Sequence, residues 1–166
     1  MERVYHPFPP VYDVDSRVLI LGSFPSVKSR EGEFYYHHPQ NRFWKVLSRI
    51  LDEPLPLTIE EKKAVLLRNK VALWDVILSC EITGSSDSSI KKAEPNDIAG
   101  LLEQTKIREI YANGGTAYRL YSKYVKPITG RDALKLPSTS PANAACSLER
   151  LIEEWSCIRN AINTKG

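Results

Sequence analysis

Two short stretches hold most of the chain's chemically capable side chains. Gly22-Ser23-Phe24-Pro25-Ser26 follows the apolar run Val18-Leu19-Ile20-Leu21 and reads as the turn leaving a buried strand. Tyr35-Tyr36-His37-His38-Pro39-Gln40-Asn41-Arg42-Phe43-Trp44 comes soon after and runs into a helix. A glycine turn, hydroxyls, aromatic faces and an amide in one neighbourhood suit a flat heterocycle held beside a phosphate. A nucleobase is the first ligand to consider. Three further places carry suitable groups: Asp75 at a strand end, Asn113 before Gly114-Gly115, and Ser138-Thr139-Ser140-Pro141-Ala142-Asn143. Each has an ordinary reading beside the functional one. Asn41 could cap a helix, Asp75 could be a solvated or capping carboxylate, Asn113 a turn residue, and Phe34, Tyr35 and Tyr36 core or rim aromatics. No G-x-x-x-x-G-K-[ST] loop, G-x-G-x-x-G turn or G-x-S-x-G elbow occurs, which removes the best support for nucleoside triphosphates, dinucleotides and an acyl-transfer serine.

The elements that must position these groups follow from periodicity. Residues 17–22, 71–77, 107–112 and 133–136 read as strands, the first nearly continuous in apolar side chains, as in a parallel sheet covered on both faces. A helix is predicted from about Pro39 to Leu51, with Phe43, Val46, Leu47, Ile50 and Leu51 on one face. Thr58, with Glu61 three residues on, has the form of a capping box opening a helix to about Asn69. Short helices are predicted after Asp97 and from Thr116 to Val125, and a last one from Ser147 with Leu148, Leu151, Ile152, Trp155 and Ile162 as its face. Residues 80–95 read as a long surface loop. Strands alternating with helices predict an α/β fold, a three-layer α/β/α sandwich around a mainly four-stranded parallel sheet. In such sheets ligands bind at the carboxyl ends of the strands, so the polar segments 22–26, 75–92, 113–116 and 137–143 are expected to converge there.

Composition sets the outer bounds. At 166 residues, 42% apolar and 26% charged, the chain fits one globular domain over residues 1–166. No apolar run approaches the roughly 20 residues of a membrane span, and Met1 to Pro7 has no signal-peptide core. A cytoplasmic monomer is expected. Cys80, Cys146 and Cys157 are widely spaced and read as free thiols, and His6, His37 and His38 form no i, i+4 pair. No metal and no cofactor are expected. The net charge of +3 is compatible with nucleic acid without requiring it.

Taken together, these motifs resemble the uracil-DNA glycosylase superfamily. Gly22 through Trp44 is similar, without a gap, to the G-I-N-P-G and H-P-x-N-R-F-W block of its mismatch-specific uracil/thymine branch. Leu136-Pro137-Ser138-Thr139-Ser140-Pro141-Ala142-Asn143 resembles the second motif of the superfamily. Two departures are informative. Phe24 stands where the mismatch-specific branch carries its water-positioning amide, and Ser138 stands near the histidine of the uracil-specific branch. G-S-F-P-S with Y-Y-x-H-P-Q-N-R-F-W instead resembles the hypoxanthine-DNA (deoxyinosine) glycosylase branch.

The resemblance implies a monofunctional base-excision glycosylase that acts on DNA containing a deaminated base, most of all hypoxanthine. The base would be flipped from the duplex and released by water attack. It implies Asn41 as the catalytic amide, Tyr36 as the stacking aromatic and Phe24 as pocket wall. Ser23, Asp75 and Asn113 would help read the base. Ser26, Ser138, Thr139 and Ser140 would grip flanking phosphates, and Pro141-Ala142-Asn143 would enter the duplex as a wedge. Lys28, Arg30, Lys91 and Lys92 are further backbone-contact candidates, each equally readable as a solvated face. A uracil or mismatch glycosylase, a nucleoside-acting α/β hydrolase and a non-catalytic DNA-binding module are the rival readings.

Overall fold

In the computed structural model, which describes residues 3–84 and 89–163, the apolar run after Arg17 is a strand buried along its whole length. The strands are β1 (Arg3–Tyr5), β2 (Val18–Gly22), β3 (Val71–Asp75), β4 (Ile77–Glu81), β5 (Lys91–Pro95), β6 (Glu109–Asn113) and β7 (Leu134–Leu136). Four of them form a parallel sheet in the order β3-β2-β6-β7. Alternation along β2 serves both faces. Val18 and Ile20 pack with Val71, Leu73, Tyr111 and Leu136 into one core, and Leu19 and Leu21 pack with Ala72, Ile110 and Ala112 into the other. The chain passes from β2 to β3 on one side and returns to β6 on the other. The carboxyl ends of β2 and β6 therefore flank a crevice, where ligands sit in open α/β sheets.

The helices are α1 (Val27–Gly32), α2 (Phe43–Ile50), α3 (Ile59–Arg68), α4 (Ile98–Glu103), α5 (Gly115–Leu120), α6 (Lys126–Thr129), α7 (Leu148–Trp155) and α8 (Cys157–Asn163), with a π-helical turn at Tyr121–Val125. Helices α2, α7 and α8 cover the Val18/Ile20 face through Phe43, Val46, Leu47, Ile50, Leu151, Trp155 and Ile158. Helices α4 and α5 and the π turn cover the other through Ile98, Leu101, Ala117, Leu120 and Tyr121. This is the three-layer sandwich expected. No helix among the described residues is long and apolar enough to cross a membrane.

Several boundaries differ from expectation for identifiable reasons. Helix α2 begins at Phe43 rather than Pro39, because the Asn41 side chain accepts the Phe43 N–H and turns the chain just before the helix. Thr58 caps α3 by accepting from the Glu61 N–H, but the Glu61 carboxylate reaches back to Leu57 N–H, one residue earlier than a capping box requires. The loop expected at 80–95 is largely a hairpin: β4 and β5 pair, and β1 adds to β4, in a second, antiparallel sheet of order β1-β4-β5. Part of that segment, residues 85–88, lies outside the described residues. The strand expected at 71–77 breaks at Val76, whose N–H bonds Gly22 C=O while Ile77 N–H bonds Ser23 C=O. The last helix starts at Ser147 as expected, with Ser147 capping it by accepting from Arg150 N–H, and it splits at Ser156 into α7 and α8.

Where α3 ends, Glu53 accepts two hydrogen bonds from Arg68 at 2.8 Å each and one from Asn69 at 2.7 Å. These partners hold its carboxyl down at about 2, from an ordinary 4.5. A depressed carboxyl stabilises the fold above its unfolded value and ceases to do so as pH falls toward the folded one. Glu53→Gln should therefore cost about 1 kcal/mol at neutral pH, discounted for the half-exposed Arg68. The deficit should vanish in strong acid. Urea melts of both proteins across that pH range check this.

Candidate active site at the carboxyl edge of the parallel sheet

The four strand exits meet around an open cleft of about 630 Å³, lined by residues 22–26, 29, 35, 36, 41, 75, 113 and 138–140. Its floor is Gly22, the last residue of β2. A Cβ placed there would lie 2.4 Å from Asp75 Oδ1 and 2.9 Å from the Tyr36 hydroxyl. Only a hydrogen fits, and the Asp75 carboxyl and the Tyr36 phenol converge over it. Tyr36 holds a left-handed backbone at φ 53°, unusual for an aromatic residue and a source of strain of order 1 kcal/mol or more. Its ring lies parallel to Phe43, with centroids 4.0 Å apart and 17° between planes. One face of the ring is thus occupied by Phe43.

Asn41 is half-buried at the cleft, and its amide is held from one end. Oδ1 accepts from the Phe43 N–H at 2.9 Å and from the Thr139 hydroxyl at 2.8 Å. The backbone N–H fixes which end of the amide is oxygen. With Oδ1 accepting twice, the NH2 group is the end that can serve a ligand, as a donor. Behind it, Thr139 is fully buried. Its hydroxyl accepts from Asn113 Nδ2 at 3.0 Å, its N–H donates to Asn113 Oδ1 at 3.1 Å, and its carbonyl accepts from Arg42 N–H at 3.1 Å. The line Asn113–Thr139–Asn41 is a hydrogen-bonded brace that ties the end of β6 to the second loop and to the amide.

This brace corrects one expectation and narrows another. Thr139 cannot grip a phosphate, because its side chain is sealed inside the loop. Asn113, which lines the cleft, has its oxygen and one N–H committed to Thr139, so at most one amide N–H is left to read a base. Ser26 is also engaged: it caps α1 by accepting from the Ser29 N–H. Ser138 and Ser140 fit the phosphate role better. Each hydroxyl oxygen accepts one backbone N–H, from Ser140 and Ala142 respectively, which leaves the hydroxyl hydrogen for an outside acceptor. Gly114, at φ 95°, lets the chain pass close to this loop, since its Cβ would meet Ser138 Cβ at 3.0 Å.

Pro141 and Ala142 are exposed at the tip of the second loop. Asn143 is not part of that tip, because its Nδ2 donates to Ser138 C=O and its carbonyl accepts from Arg42. Arg42 holds the whole loop: its guanidinium donates to the carbonyls of Ser140, Asn143 and Cys146. Arg30 is likewise committed, to the carbonyls of Gly84 and Ser26, and Lys92 pairs with Glu81. Lys28 and Lys91 are exposed.

One participant was not legible as a site residue. His6, just after β1, sends Nε2 to Asp75 Oδ2 at 2.8 Å and Nδ1 to Phe8 C=O at 2.7 Å. The two side chains are nearly sealed, at 2% and 5% exposure. Aromatic rings enclose the imidazole: Phe8 at 4.6 Å, Tyr35 at 5.8 Å and Phe24 at 6.1 Å between centroids. Burial, helped by the nearby Asp75 charge, pushes the Tyr35 phenol far up, and its hydroxyl donates to Pro9 C=O. His6 lies 69 positions from Asp75, and no motif joins them. Phe24 and Ser23, both mostly buried, line the cleft as expected. Among the described residues, no three His, Cys, Asp or Glu side chains gather as metal ligands would.

The chain is similar to known proteins over nearly all of its length. The uracil DNA glycosylase superfamily profile matches residues 9–158. A hypoxanthine DNA glycosylase of Methanosarcina acetivorans is 37% identical over 153 residues, covering 91% of this chain and 95% of that protein. A hypoxanthine DNA glycosylase of Methanosarcina barkeri is 34% identical over 137 residues, covering 82% and 86%. A solution NMR structure from Methanosarcina acetivorans, named as a candidate uracil DNA glycosylase, superposes with a TM-score of 0.81 at 35% identity, covering 95% of this chain and 97% of the other.

Proposed function

The chain belongs to the uracil DNA glycosylase superfamily, and from that premise we propose that it excises hypoxanthine from deoxyinosine in DNA without a covalent intermediate. The observation that carries this reading is the oriented amide of Asn41. A glycosidic bond breaks when the departing base can take the electron pair of the bond. A fixed N–H donor at the base stabilises that developing charge without reorganising. Asn41 offers such a donor because Phe43 N–H and the Thr139 hydroxyl already hold its oxygen.

The remaining groups fit around a flipped purine. Tyr36, which lines the cleft, would stack on the purine, and Phe24 would close a wall. Asp75 Oδ1, over Gly22, meets the ring N–H that deamination of adenine creates at N1. Adenine has a lone pair at that position and would meet an acceptor with an acceptor. No lysine lines the cleft among the described residues, so no amine is placed to attack C1′. Water attack on an oxocarbenium-like sugar is the route these groups serve. Ser138 and Ser140 would hold phosphates, and Pro141 and Ala142 would fill the emptied stack.

The deciding assay uses a duplex with a single deoxyinosine and detects free hypoxanthine by mass spectrometry and the abasic site by alkaline cleavage. Hypoxanthine release is expected, with slower release of uracil and none from free inosine. Robust excision from a U·A pair with none from deoxyinosine would move the reading to the uracil-acting enzymes. Turnover of free inosine would move it to a nucleoside hydrolase.

The loop that carries Pro141 and Ala142 depends on Arg42. Arg42→Lys leaves a single ammonium in place of a fork that spans three carbonyls. The expected result is about tenfold to hundredfold weaker binding to lesion DNA, from about 1–3 kcal/mol of lost hydrogen bonding. The rate at saturation should change less. Anisotropy titration and single-turnover kinetics separate the two.

A further inference from the structure

We infer that His6 is a positioning residue for base selection, holding Asp75 by Oδ2 and keeping one proton in the pair, so that Oδ1 faces the cleft only as an acceptor. The inference rests on the base-excision reading above. It starts from the hydrogen inventory of the pair. Nδ1 lies 2.7 Å from a backbone carbonyl oxygen, which has only lone pairs, so Nδ1 carries a hydrogen. Nε2 lies 2.8 Å from Asp75 Oδ2. A neutral imidazole already protonated at Nδ1 has a lone pair at Nε2, and a carboxylate has lone pairs at Oδ2. Two lone pairs at that distance repel, so a second proton lies between them.

That proton has two placements, imidazolium beside carboxylate or imidazole beside carboxylic acid. They share two consequences. The pair has no net charge, and Oδ1, turned toward Gly22 and the Tyr36 hydroxyl, carries no hydrogen. Both matter for a departing base. A bare carboxylate against a base gaining negative charge would oppose its departure, whereas a neutral pair does not. An acceptor that cannot become a donor at Oδ1 reads a ring N–H in one sense only. The site therefore separates a deaminated purine from adenine by hydrogen-bond polarity, a device that discriminates strongly because the wrong partner leaves a buried group unpaired.

The enclosure supports the same role. Phe8, Tyr35 and Phe24 leave the imidazole little room to rotate, and β1, which precedes it, is locked to β4. His6 N–H also donates to Leu78 C=O at 2.7 Å. The histidine thus reaches Asp75 from the second sheet, while Asp75 itself ends a strand of the first.

Four variants and one spectrum test this. Asp75→Asn is neutral, can donate from Nδ2 to His6 Nε2 and keeps an oxygen toward the cleft. It should excise hypoxanthine within about fivefold of wild type, while Asp75→Ala loses about a hundredfold or more. His6→Gln, which can donate at the position of Nε2, should stay within about tenfold, and His6→Phe should fall clearly below it. Nitrogen-15 NMR of labelled histidine needs no turnover. Wild type should show Nδ1–H and a proton shared between Nε2 and Asp75, and Asp75→Asn should show a ring with Nδ1–H alone. Asp75→Asn as slow as Asp75→Ala, His6→Phe as fast as wild type, His6→Gln no better than His6→Phe, or a wild-type His6 with a single ring N–H would each overturn the inference. If wild type releases no hypoxanthine, the functional reading fails, and the spectrum still decides the pair.

Discussion

Asn41→Ala should slow hypoxanthine release by about a thousandfold, because one preorganised donor to a developing anion is worth a factor of about 10²–10³ or a little more. The fold should survive. The substitution removes a side-chain acceptor from Phe43 N–H at the start of α2, which costs about 1 kcal/mol as a lost helix cap does. It also leaves the buried Thr139 hydroxyl without its acceptor, at about 1–3 kcal/mol more. A sharper variant is Asn41→Asp. It keeps an oxygen for Phe43 N–H and Thr139 and replaces the NH2 end with a second carboxylate oxygen. If Asn41 acts by donating to the base, the aspartate is as inactive as the alanine, since it presents lone pairs and charge where a donor is needed. If Asn41 instead held the attacking water as a proton acceptor, the aspartate would be active. Single-turnover kinetics of the two variants, beside their thermal melts, decides between these roles. An aspartate variant within tenfold of wild type would end the donor assignment.

The distribution of what the sequence disclosed follows the physics of each element. The central strands β2, β3 and β6 and the two-faced core were readable because a strand buried on both faces is a short, mostly apolar run. Edge strand β7, Leu134-Lys135-Leu136, is exposed at two of its three residues and was placed by the alternation of strands with helices. The convergence of strand exits then followed from topology, and with it the neighbourhood of Gly22, Asp75, Asn113 and Ser138. The antiparallel sheet was not readable, because β5, Lys91-Lys92-Ala93-Glu94-Pro95, is mostly exposed and its composition matches a loop. Hydrogen-bond direction was also out of reach. Asn41 was open to capping and to catalysis, and the structure shows that the cap at Oδ1 is what orients the donor at Nδ2. Thr139 and Asn113 could not be told from surface donors until their burial and mutual bonds were visible. His6 was invisible because its partner is brought to it by β1 pairing with β4, a contact that leaves no local pattern.

Gly22→Ala should be nearly as damaging to activity as loss of Asn41, although it adds one methyl and removes no functional group. The backbone there does not need glycine for its conformation. The need is steric: the added carbon would stand 2.4 Å from Asp75 Oδ1 and 2.9 Å from the Tyr36 hydroxyl, well inside contact distance. Both neighbours are constrained. Asp75 is tied to His6 through its other oxygen, and Tyr36 is pinned against Phe43 in a left-handed backbone. Relief must come from swinging the Asp75 carboxyl off His6 or lifting the tyrosine ring into the space a base would occupy. Either movement spoils recognition, and a displacement of about 1 Å near reacting groups can cost about a hundredfold. Overpacking a tight site costs about 1–3 kcal/mol of stability, which a melt would register. The expected signature is an excision rate lower by about a hundredfold or more, in a protein that still folds and still binds undamaged duplex with unchanged salt dependence, since Ser138, Ser140 and the Arg42-braced loop are untouched. A Gly22→Ala protein that excises hypoxanthine at the wild-type rate would show that the cleft floor has room to spare, and that Asp75 and Tyr36 need not meet over the base.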